Sequence, residues 1–159
     1  MIRRILASGV AVSAVSALTA FACSQRENGH GARPLNAIAH ISDGGQPRPH
    51  DGENRRNTAL GLAIHTGACV FWAGFFESLL GRRARQGIGN AAGAGAATAA
   101  TAYVIDYYVV HPRFRPGFEA YLSKRSMFAV YAAIAAGFAV AALLTPERPR
   151  ARRKAAGPA

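Results

Sequence analysis

Acidic residues are scarce in this sequence: 8 Asp and Glu stand against 19 Lys and Arg, a net charge of +11 over 159 residues. A balance this basic is common among nucleic-acid binders. Here, however, the arginines collect at the ends of apolar runs with no base-stacking aromatic motif beside them, so nucleic acid is not an expected partner. Cysteine is nearly absent, with Cys23 and Cys69 alone. The two fall at different depths of two apolar runs, too far apart for disulfide geometry. The five histidines, His30, His40, His50, His65 and His111, show no tight ligand spacing. Only His65 lies well inside an apolar run, so no facing pair is available for a haem. No metal, haem or other cofactor is expected. Gly87, Gly89, Gly93 and Gly95 are followed by no GK[ST] and preceded by no strand, which excludes a phosphate loop.

What is abundant is apolar character, at 50% of residues, and it is gathered into four blocks with the charges between them. Soluble amphipathic helices would carry charge along one face of each block. These interiors hold only His65, Glu77 and Asp106 as ionisable groups apart from Cys and Tyr. The pattern predicts an all-α integral membrane bundle of about four transmembrane helices near residues 5–23, 58–80, 88–110 and 126–144. With an outer loop, 24–57, the spans make a single transmembrane domain over 1–145, followed by a basic cytoplasmic tail, 146–159. The first block has two readings. Arg3 and Arg4 followed by an apolar run, with Ala20-Phe21-Ala22 as a small-x-small site, fit a cleaved signal peptide. The same block is long enough to be retained as a span, the reading adopted here; cleavage would leave three.

Orientation follows from the basic connections. Arg82-Arg83-Ala84-Arg85 and the tail arginines Arg148, Arg150, Arg152 and Arg153 are separated by two spans, so they share one side with Arg3 and Arg4. That places the C-terminus in the cytoplasm, with anionic lipid as a partner for the basic ends. In the long connection, Leu35, Ile38 and Ile41 are spaced for a short helix lying in the membrane interface, or else for an irregular loop.

Helices in lipid associate by close backbone approach. Gly89, Gly93, Ala97 and Thr101 recur every four residues in the third block, and Ala129, Ala133, Gly137 and Ala141 in the fourth. Those stripes predict that the two blocks pack directly together. Among the polar residues, Asp106 and His65 lie about 6 and 10 Å below the outer ends of their blocks at 1.5 Å per residue. Those depths are close enough for a pair, with Tyr103 sharing Asp106's helix face and able to donate to it. A His65–Asp106–Tyr103 cluster is therefore the candidate site. Glu77 is expected to snorkel toward Arg82 and Arg83. His65 and Cys69, four apart, share a face as a Cys–His nucleophile pair would, but no third group orients the imidazole.

The run Pro34-Leu35-Asn36-Ala37-Ile38-Ala39-His40-Ile41, with Asn57-Thr58-Ala59-Leu60-Gly61, Ala68 to Ala73 and Tyr103-Val104-Ile105-Asp106-Tyr107, resembles a group of small multi-span bacterial inner-membrane proteins. That group carries a Trp in the outer turn where this chain has Ser42-Asp43-Gly44-Gly45. The resemblance implies a bacterial cytoplasmic-membrane setting and no particular reaction. With no catalytic constellation in view, the expected role is a non-enzymatic structural or accessory component. It would dock through its small-residue faces on another copy or another membrane protein. The alternative is a small ion-, proton- or metal-handling protein using His65, Asp106 and Tyr103.

Overall fold

A computed structural model describes residues 1–44 and 54–145, apart from the Asp43 side chain. The expected basic tail, Pro146, and the turn residues Gly45 and Pro47 to Pro49 lie outside the described residues, as do His50, Asp51 and Glu53. The described residues are all-α. Their α-helices are α1 (Ile2–Asn28), α2 (Arg33–Ile38), α3 (His40–Asp43), α4 (Arg55–Phe75), α5 (Gly81–Ala84), α6 (Ile88–Val104) and α7 (Lys124–Leu144). A π-helical turn, Phe76–Leu80, joins α4 to α5, and a second, Ile105–Val109, extends α6.

Among the described residues, three helices are long and apolar enough to cross a membrane: Ile2–Asn28, Arg55–Ala84 and Lys124–Leu144. The third expected span, 88–110, is helical but does not join them. Length is not the reason: the 17 residues of α6 and the 5 of its π turn together rise about 33 Å at 1.5 Å per residue, against a hydrocarbon core of ~30 Å. Ala, Gly and Thr give it little apolar surface, and Asn90 and Asp106 subtract further.

The four long helices alternate in direction. Helix α1 packs against both α4 and α7, and α7 packs in turn against α6. Helix α4 meets α6 chiefly near the basic end, through its π turn and α5. The segment read as either leader or span is thus the middle of the bundle. Its sequence shows why it fits. Gly9 lets the α4 backbone come close, since an added Cβ would stand 2.6 Å from Val70 Cα. Val12, wholly buried, fills the space that Gly137 leaves on α7. Serines on the same helix then tie it to α4: Ser13 Oγ lies 2.8 Å from Thr66 Oγ1 and Ser16 Oγ 2.9 Å from His65 Nε2.

The expected α6–α7 pairing is present, but through other residues. Gly95 makes the close approach, where a Cβ would lie 2.2 Å from the Ala135 carbonyl oxygen, and Ala91, Ala94, Thr98, Ala99 and Ala102 are buried beside it. Gly89, Gly93 and Ala97 lie on the exposed face, and the two glycines have open space where a side chain would stand. Gly137 faces α1, and Ala133 is half-buried. Every face of α6 is small, so composition alone did not select the right one.

At the end opposite the basic turn, the chain forms a cap. Gly29 takes a left-handed conformation (φ 72°) to end α1, and α2 then folds back on α4. Leu35 and Ile38 are buried, so this segment is helical as its spacing suggested, but it packs inward on protein. Gly61 permits the contact, because a Cβ there would fall 1.8 Å from the Leu35 carbonyl oxygen. Asn54 and Ser123 cap α4 and α7, accepting from Arg56 N–H at 2.9 Å and Ser126 N–H at 3.2 Å.

Glu27, beyond the apolar run that ends at Cys23, clasps the start of α7. Its carboxylate accepts from Ser123 Oγ (2.5 Å), Ser123 N–H (2.9 Å) and Ser126 Oγ (2.7 Å). The Ser123 hydroxyl and backbone N–H, then the Ser126 hydroxyl, hold it below its ordinary value of 4.5. A carboxylate lowered by folding stabilises the protein above its unfolded value and loses that contribution as pH falls through the folded one. Thermal unfolding in detergent should therefore lose midpoint as pH drops below about 4.5, and Glu27→Gln should flatten that part of the profile.

Candidate functional site

Both acidic residues inside the apolar blocks sit in the π turns, Glu77 in one and Asp106 in the other. A π turn adds a residue to the helical circuit and turns the following side chains by about 100°. For Glu77 this moves the arginines that follow it off the face that regular spacing would give them.

Glu77 does not snorkel toward Arg82 and Arg83, which are exposed. It forms an ion pair with Arg85, with the two side chains only 3% and 4% exposed. Eight residues of straight helix would rise about 12 Å; the π turn and the end of α5 fold Arg85 back instead. Gly81 leaves room for the pair, since a side chain there would meet both partners. Ser8 donates to the other Glu77 oxygen (3.1 Å), and Arg85 Nε donates to the Thr145 carbonyl (2.9 Å). One buried ion pair therefore joins α1, α4 and the end of α7.

Asp106 has a different donor from the one expected. The Tyr131 hydroxyl on α7 donates to its Oδ2 at 2.8 Å. Tyr103 instead packs its ring against Tyr107 and Tyr131, with centroids 5.2 and 5.1 Å apart, and is 38% exposed. The Tyr107 hydroxyl is directed to the Met127 sulfur at 3.9 Å.

His65 is 7% exposed. The Ser16 hydroxyl spends its hydrogen on its own helix, donating to the Val12 carbonyl at 2.8 Å. On that arrangement the hydrogen-bond network assigns Ser16 as acceptor from His65, 2.9 Å away, with the imidazole proton on Nε2. The Cys69 sulfur lies 3.7 Å from the same nitrogen. Phe118, from the cap connection, meets the imidazole edge-on at 5.9 Å. Ser16 is wholly buried with its hydrogen committed, so it is not placed as a nucleophile despite its histidine neighbour.

His65 and Asp106 do not bond to each other, yet they share a cavity of about 100 Å³ where α4 and α6 diverge beneath the cap. Cys69, Trp72 and Tyr131 join them on its walls, and Ile41, Phe114 and Phe118 lie on the cap side. That volume admits a few waters or a small solute. Neither Ser16 nor Tyr131 was singled out from the sequence, because hydroxyls weigh little in hydropathy and each partner comes from a distant helix. The serines on α1 were the available signal. His40 is buried in the cap, where Nδ1 donates to the Ala37 carbonyl at 2.6 Å. Among the described residues, no three His, Cys, Asp or Glu side chains are grouped to hold a metal ion. Compared with protein-family models, curated proteins and solved structures, the chain matches none of them.

Proposed function

We propose that this is a non-enzymatic, multi-pass protein of the bacterial inner membrane, with both ends in the cytoplasm, that takes a small ion or solute between its helices. One observation carries the reading: His65 of α4 and Asp106 beyond α6 open on the same chamber. Intramembrane ionisable residues are costly and most often mark ion or substrate sites. Arg3 and Arg4 lie at the same end of the bundle as Arg82, Arg83 and Arg85, which supports the orientation through the positive-inside tendency. Helix α6, sheltered along α7, crosses with the three more apolar helices.

The structural or accessory reading also has support, because the interior polar groups tie pairs of helices together. A ligand screen by thermal shift separates the two. A solute at about 100 times its Kd should raise the midpoint by roughly 5 °C or more, and His65→Ala or Asp106→Asn should abolish the rise. If no small ion or solute shifts the midpoint, while both variants merely lower it, the structural reading stands alone. A phosphatase fused to the C-terminus should be inactive in cells, as the cytoplasmic tail requires.

A further inference from the structure

We infer that the chamber is a site for a small protonated amine, an alkylammonium of up to about four heavy atoms. The inference rests on the chamber being a solute site and names the ligand's chemistry from its walls. Two polar groups on those walls are left to accept. Asp106 takes the Tyr131 hydrogen on Oδ2, and none of the described hydrogen bonds uses its Oδ1. His65 carries its proton on Nε2, committed to Ser16, which leaves Nδ1 as a bare acceptor; no described bond uses it either. Among the described residues, no Lys or Arg lines the chamber. Two acceptors, one of them a carboxylate, want a ligand that brings several N–H donors and a positive charge.

The remaining walls suit the same guest. Trp72, Phe118 and Tyr131 present aromatic rings, whose faces attract ammonium ions, and Ile64 and Ile134 offer contact for a short alkyl chain. An apolar cavity of about 150 Å³ holds a six-carbon ring, so about 100 Å³ accommodates about four heavy atoms. A guest of that kind would also neutralise a carboxylate held among apolar side chains, where an unpaired charge is costly.

Trp72 is the chain's one tryptophan and lines the chamber, so its fluorescence reads the site directly. Full-length protein in mild detergent is titrated with propylammonium, tetramethylammonium and 1-propanol at constant ionic strength. Propylammonium should give a saturable change, at least tenfold tighter than neutral propanol of the same four heavy atoms, or than tetramethylammonium, which has no N–H and one heavy atom more than the chamber takes. Asp106→Asn should weaken propylammonium at least tenfold. Ala102→Leu, which keeps both acceptors but fills the chamber, should also weaken it, and both variants are checked for an intact unfolding transition. The comparison of the three ligands on wild type stands even where a variant fails to fold. Equal saturable binding of propanol and propylammonium would overturn the amine assignment and leave the solute chamber intact. No saturable change with any of the three, together with no ligand in the thermal screen, would overturn both.

Discussion

Arg85→Met should be among the most damaging single substitutions in this protein, costing about 3–5 kcal/mol, because it leaves Glu77 buried without its partner. In thermal unfolding this corresponds to a fall of roughly 10 °C or more. The double variant Glu77→Leu/Arg85→Met should recover most of the loss, since two apolar side chains of similar volume carry no desolvation cost. Arg82→Met and Arg83→Met should change stability by under about 1 kcal/mol, as exposed charges do. The contrast decides between the observed pair and a snorkelling Glu77 shared among surface arginines. Equal small effects from all three arginines would contradict the buried pair.

The second large effect concerns backbone approach. At Gly61 a methyl group would overlap the Leu35 carbonyl, and at Gly95 that of Ala135. In both places the obstacle is main chain, which cannot rotate away. Gly61→Ala and Gly95→Ala should each destabilise by about 3 kcal/mol, the upper end of ordinary overpacking. Gly61→Ala should also lift the cap from α4, increasing proteolysis near α2. Gly89→Ala and Gly93→Ala should have the opposite sign, gaining up to about 1 kcal/mol from helix propensity alone. Unfolding midpoints of the four variants provide the check, and destabilisation by Gly93→Ala would restore the stripe that the repeat alone suggested.

These two results also mark where the sequence was legible. Three of the four blocks emerged as helices with a membrane span's length and apolarity, because hydropathy sums over many residues and tolerates local error. His65 and Asp106 were brought to one chamber, as matching depths suggested, since axial depth follows from rise per residue. Rotation about the axis was harder to read. A π turn shifts the helix face by about 100°, and neither Phe76–Leu80 nor Ile105–Val109 announces one. Glu77 accordingly met Arg85 in place of its nearer neighbours, while Asp106 met Tyr131 from another helix in place of Tyr103. On α6 the difficulty was different: small residues occupy every face, so a four-residue repeat could be drawn on the wrong one. The hydroxyls of Ser8, Ser13 and Ser16 weigh little in a hydropathy sum. They are the polar side of a helix that touches two others.

That helix carries the central proposal, that residues 2–28 are retained as a core element and not removed as a leader. Disulfide trapping between Val12→Cys and Gly137→Cys, with Cys23 and Cys69 replaced by Ala, tests it directly. A Cβ built at Gly137 stands 3.6 Å from Val12 Cβ, within the range a disulfide spans. Protein oxidised in isolated membranes should form the bridge efficiently, with an intact mass that includes the first 28 residues. A mature chain beginning after Ala22, or the full chain with no bridge under the same oxidation, would contradict the account.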